Sequence, residues 1–171
     1  MAIINLDEIN NIAEVQNKVE KHSKILESIV NEIVAPYCKY VDDYVAWIRE
    51  ILADGTNPPT DEELEDMCLN LSTRIYFMSE ACEQLGIRDD MSKAIKNEVF
   101  NTKRGEINGT IADKDAYADL ASQQEQITNI CYNRAYKIIK SKVDNAQELL
   151  QSCKKVLSRR MISMELSKVQ R

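Results

Sequence analysis

From Thr110 to its C-terminus the chain contains neither glycine nor proline, and apolar side chains recur through that stretch at steps of three and four. Nothing in it breaks a helix. The sequence therefore predicts one helix from Ile111 to about Leu166, roughly 80 Å long at 1.5 Å per residue. Leu120, Ile127, Cys131, Ile138, Ala146, Leu149, Cys153, Val156 and Met164 lie close to a coiled-coil period, with Gln124, Lys142 and Asn145 interrupting. That is an imperfect seam. Shorter preceding helices would leave much of it uncovered, so the expectation is assembly with further copies of the chain through Ile138, Leu149, Leu150, Cys153 and Leu157.

The rest of the chain has the same character. A first helix is expected from about Leu6 to Ala53, on the stripe Leu6, Ile9, Ile12, Val15, Val19, His22, Leu26, Ile29, Ile33, Tyr37, Tyr40, Tyr44, Ile48 and Ile51. Asn5 and Glu8 form a capping-box pattern at its start. Pro36 should kink or split it, and Asp54-Gly55 should end it with glycine in the left-handed position. Thr56-Asn57-Pro58-Pro59 is a rigid turn, and Thr60 with Glu63 opens a second helix along Leu64, Met67, Cys68, Leu71, Ile75, Met78, Cys82 and Leu85. Gly86 is expected to stop that helix, and Asp89 or Asp90 to cap a short third one over Met91–Lys103. Gly105 to Gly109 forms a polar break, and Thr110 caps the last helix. The fold class is all-α: a helical N-terminal region, then a long C-terminal helix that builds an oligomeric helical assembly. The division falls between an acidic region 1–88, with its first helix kinked at Pro36, and a basic region 89–171 with a short helix, a glycine turn and the long oligomerising helix.

Charge divides along the same line. Residues 1–90 carry 19 Asp/Glu against 7 Lys/Arg, and residues 91–171 carry 9 against 15, so a chain of net charge −6 holds one strongly acidic half and one basic half. Such asymmetry points to a polyanion for the basic end. Two clusters carry it. Lys93, Lys96, Lys103 and Arg104 surround Phe100 and lead into the Gly105 turn. Cations track phosphates, and an interleaved ring can stack a base, although Phe100 reads first as core with Ile95 and Val99. Lys154, Lys155, Arg159 and Arg160 lie far along the last helix, after Arg134, Lys137, Lys140 and Lys142. A solvated helix face is the alternative reading of these residues. Counterion release favours nucleic acid.

Catalytic and metal chemistry find no constellation. His22, the single histidine, sits on an apolar stripe and reads as a core residue. Asp113, Asp115 and Asp119 fail the calcium-loop pattern, because the twelfth position counted from Asp113 is Gln124. Glu62, Glu63, Glu65 and Asp66 suit a helix first turn, where acids complement the dipole. Five cysteines, Cys38, Cys68, Cys82, Cys131 and Cys153, are widely spaced on apolar faces and read as reduced core thiols. The expectation is no enzyme, no metal and no cofactor. No apolar run is long enough to span a membrane, and the first residues lack a signal-peptide pattern, so a cytoplasmic protein without a membrane partner is expected.

Residues 91–164 resemble the recombination mediator family of tailed phages (UvsY-like). The resemblance rests on Lys93-Ala94-Ile95-Lys96 with Phe100, on the basic turn Lys103-Arg104-Gly105 and Asn108-Gly109, and on the late helix Leu149-Leu150-Gln151-Ser152-Cys153 with Leu157 and Arg159-Arg160. It implies a single-stranded-DNA-binding accessory protein that helps load a recombinase in place of single-strand-binding protein. Lys93 and Lys96 would touch DNA, and the helix around Leu149, Leu150, Cys153 and Leu157 would build a homo-oligomer. For a phage-encoded chain the compartment is the host cytoplasm. The alternative is a non-enzymatic helical scaffold or adaptor without nucleic-acid binding.

Overall fold

The computed structural model describes the backbone of residues 6–169 and the side chains of residues 12–168. Within that range every regular element is helical: α1 (Leu6–Ala53), α2 (Asp61–Glu106), α3 (Ile111–Ala121) and α4 (Gln123–Val169). α2 runs antiparallel to α3 and α4 as one long hairpin. Arg160 Nη1 meets Asp61 Oδ1 at 3.2 Å at one end, Asn129 donates to Ser92 Oγ at 3.0 Å further along, and Arg104 Nε reaches Asp115 Oδ1 at 2.6 Å near the tip. α1 packs parallel to α4 over the half of the hairpin remote from that tip, tied by Lys142 Nζ to Asp42 at 2.5 Å.

The core follows from three apolar faces meeting. α2 contributes Leu64, Met67, Leu71, Ile75, Met78, Cys82 and Leu85 at steps of three and four. α4 answers with Cys131, Ala135, Ile139, Val143, Ala146, Leu150 and Cys153, and α1 with Val30, Val34, Cys38, Val41 and Ile48. The small side chains on α4 let α2 approach closely, and α2 makes most of its packing there. Two threonines set the starts of the shorter segments. Thr60 accepts from the Glu63 backbone at 3.2 Å while its own N–H donates to Glu63 Oε2 at 2.7 Å, and Thr110 and Asp113 repeat the arrangement. Both are capping boxes.

Several expectations are corrected. Gly86 does not stop a helix. α2 continues through it to Glu106, no glycine has a positive φ, and a Cβ at Gly86 would meet the Tyr136 ring at 3.4 Å. The glycine lies beside the Tyr136 ring inside a continuous helix rather than in a turn. The separate helix at Met91–Lys103 is therefore the second half of α2, and the division at residue 88 falls inside a continuous helix. Asp89 caps nothing. It accepts from Asn129 at 3.3 Å and Asn133 at 2.9 Å, bridging α2 to α4. The final helix has a break at Ser122, which is fully buried with ψ 16°, although the Gln126 amide still reaches the Ser122 carbonyl at 3.0 Å. Of the kink or split expected at Pro36, the split does not occur, and α1 runs on through the proline. It ends without left-handed glycine, because Asp54 Oδ1 accepts from Thr56 N at 2.9 Å and Thr56 Oγ1 at 2.6 Å and turns the chain itself. His22 is exposed. The cap expected from Asn5 lies outside the described residues, as do the side chains of Leu6 and Ile9.

The stripe assigned to assembly is largely covered within one chain. Leu150 and Cys153 are core, and Ile138, Leu149 and Leu157 pack against it partly buried. The reason is the length of α2, which at 46 residues runs nearly the whole length of α4.

Candidate nucleic-acid interface

The basic residues divide by what holds them. Lys103 Nζ donates to Glu106 at 2.9 and 3.0 Å, and that partner raises its pKa, first through the hydrogen bond and then through charge. Arg104 is paired with Asp115. Lys142 is spent on Asp42. Arg160 donates to the Pro59 carbonyl at 2.5 Å and to Asp61, clamping the end of α4 to the turn before α2. These four cations have structural work inside the chain.

Lys93, Lys96, Lys154, Lys155 and Arg159 have none. They make no salt bridge among the described residues, and all but the half-buried Lys96 are exposed. The antiparallel hairpin places Lys93 near Thr128 and Lys155 far along α4, so the two clusters stand roughly 40 Å apart at 1.5 Å of rise per residue. They do not form one patch. Arg134, Lys137 and Lys140, also exposed, lie between them. Lys137 and Lys155 are five whole turns apart and so lie one above the other, on the side of α4 facing away from Ile139, Ala146 and Cys153. Arg134 and Arg159 flank them at the helical spacing of neighbours. Asp144 and Glu148, both exposed, interrupt the row. The connection through Arg134 and Lys137 could have been found by counting five turns back from Lys155.

Phe100 and Val99 are half-buried and Ile95 is exposed. The Gly105–Gly109 turn leads to an α3 N-terminus where Thr110 N donates to Asp113 Oδ2 and Asp113 N to Thr110 Oγ1, and the hydrogen bond from Thr110 holds the Asp113 carboxyl below its ordinary pKa. With Asp115 paired to Arg104 and Asp119 accepting from Gln126 at 3.4 Å, each of these three acids has a local partner. Among the described residues no three His, Cys, Asp or Glu side chains come together as a metal site. The cysteines are free, and burial raises the pKa of each.

A second surface is aromatic. Pro36, Tyr37, Tyr40, Asn70, Arg74 and Phe77 line a groove of about 490 Å³ between α1 and α2. Arg74 anchors it, donating to the Tyr40 carbonyl at 2.7 Å and lying 4.5 Å over the Tyr44 ring, which stacks on Trp47. No helix of the described residues is long and apolar enough to cross a membrane. No protein family, curated protein or solved structure matches this chain.

Proposed function

We propose that the chain is a non-enzymatic binding protein that holds single-stranded DNA along the outer face of α4, as a mediator that helps a recombinase displace single-strand-binding protein. The observation that carries this reading is the row of unpaired cations, Arg134, Lys137, Lys155 and Arg159, on the one face of α4 turned away from the core. Structural cations are paired in this protein, so an exposed row with no partner is available to phosphates. Lys93 and Lys96 extend the surface toward the hairpin tip. A flexible single strand can follow such a row without base-specific contacts. The resemblance of residues 91–164 to the UvsY-like mediators supports the recombinational role, and the recombinase and single-strand-binding protein are proposed partners on that ground.

The sorting by partner makes the test specific. In an anisotropy titration with a labelled mixed-sequence single strand, Lys155→Gln with Arg159→Gln should weaken binding for every sequence, and Lys93→Gln with Lys96→Gln should do so as well. Lys103→Gln should change it little. Losses that scale only with the number of charges removed, Lys103→Gln costing about half as much as either pair, would mean that only net charge matters, and the α4 track would be wrong.

The scaffold reading is favoured by the aromatic groove, since exposed aromatics mark protein interfaces. In that case Tyr40→Ala with Phe77→Ala removes a partner while DNA binding is absent in the parent.

A further inference from the structure

The bundle is three helices thick over only half of its length. α1 enters the core at Val30, and from there to Ile48 it is the third helix. Before Val30, among the described residues, only Leu26 packs against the core; Ile12 is 55% exposed, Val15 56%, Val19 62%, Ile25 51% and Ile29 40%. They are not scattered. Ile12, Val15, Val19, His22, Leu26, Ile29 and Ile33 follow alternating steps of three and four without an error, which is the a/d seam of a coiled coil. A broader, less regular stripe would suit packing on a globular surface. Its flanking positions are Gln16, Lys18 and Ser23 with one apolar residue, Ile25.

We infer that residues 12–29 of α1 form a coiled-coil interface with the same segment of a second copy of this chain. Three observations select that occupant. The strict heptad is self-complementary, because identical seams interdigitate knob into hole. Its area suffices: burying Ile12, Val15, Val19, Ile25 and Ile29 on both copies removes roughly 800 Å², and the stems of Gln16 and Lys18 carry the total past the ~1,000 Å² of a specific interface. The seam is also continuous with the core, since Leu26 near its end and Ile33 just after it already pack there. A helical segment with so little packing of its own is marginal in water, and the one ion pair along it among the described residues, Lys24 with Glu20 at 3.1 Å, is exposed and weak. Pairing supplies the burial that the hairpin does not. The inference is independent of whether DNA is the ligand. It moves self-association from α4, whose stripe is taken up within the chain, to α1.

Sedimentation equilibrium on the full chain tests it. The parent should be a dimer or larger at micromolar concentration. Val15→Asp with Val19→Asp should be monomeric with an unchanged thermal midpoint for the bundle, since neither residue belongs to the core. His22→Leu, which replaces the polar residue in the seam, should tighten association by about an order of magnitude. A monomeric parent overturns the inference, including the case in which α1 folds down over the Met91 and Ile95 face of its own hairpin. An associating parent whose double variant associates equally well overturns it too, as does a His22→Leu variant that associates no more tightly.

Discussion

Gly86 lies under the ring of Tyr136 in the middle of a helix, a position where glycine normally weakens the structure by leaving the unfolded chain extra freedom. A methyl group there would meet the ring at 3.4 Å, an ordinary contact. Gly86→Ala should therefore stabilise the bundle by about 0.5–1 kcal/mol, measurable as a higher urea midpoint. Destabilisation would show that the ring cannot give. Asp89 behaves oppositely. It holds the side-chain amides of Asn129 and Asn133 at the α2–α4 contact, and Asp89→Ala should cost about 1–3 kcal/mol by leaving them unpaired. The thiols give a pH dependence. Burial pushes Cys38 from 9.0 to about 11, with nearby Lys142 lowering it and Asp42 raising it. Its folded-state pKa is raised, so its contribution is fully present below pH 9 and is lost as pH climbs toward 11. Stability should fall across that window, and Cys38→Ala should flatten the fall. An unchanged alkaline limb in Cys38→Ala would count against a buried thiol.

At the scale of elements, α1 and the starts of α2 and α3 were legible because local chemistry decides them. Thr60 with Glu63 and Thr110 with Asp113 close capping boxes where the spacing indicates, and α1 spans Leu6–Ala53 as its periodicity requires. The errors lie where distant residues decide. Gly86 reads as a stop in sequence, but the packing of α2 against α4, where Tyr136 lies beside it fifty residues away, carries the helix through it. Asp89 reads as a cap because its partners sit on α4. The interruption at Ser122 has no glycine or proline to announce it. His22 follows the apolar spacing, but the spacing does not reveal that the bundle begins only at Val30. Among the candidate site residues, charge was legible and distant pairing was not: Lys103 has Glu106 three residues on, but Arg104 and Arg160 are indistinguishable in sequence from Lys155 and Arg159. Burial likewise separates substitutions that look equivalent. Leu71→Ala, at a fully buried position of α2, should cost about 2–5 kcal/mol, whereas Ile12→Ala should leave the bundle's midpoint nearly unchanged. Equal losses in chemical denaturation would mean that α1 is packed along its whole length.

For the whole molecule the central matter is how an acidic chain would meet the polyanion proposed for it. Net charge is −6, yet the outer face of α4 presents Arg134, Lys137, Lys155 and Arg159 with only Asp144 and Glu148 among them. If DNA follows that face, removing the two acids should help: Asp144→Asn with Glu148→Gln should tighten single-strand binding several-fold at low salt. No gain, or a loss, would place the strand elsewhere. Self-association through α1 would multiply the effect by giving one strand several such faces. The most direct measurement is the affinity of the unmodified chain for a mixed-sequence single strand as salt is raised. The four cations of the α4 row by themselves predict a slope of about −3 in log affinity against log salt, shallower by about 0.7 for each of them removed. Absence of binding at about 50 mM salt, or an affinity that does not fall as salt is raised, would contradict the account.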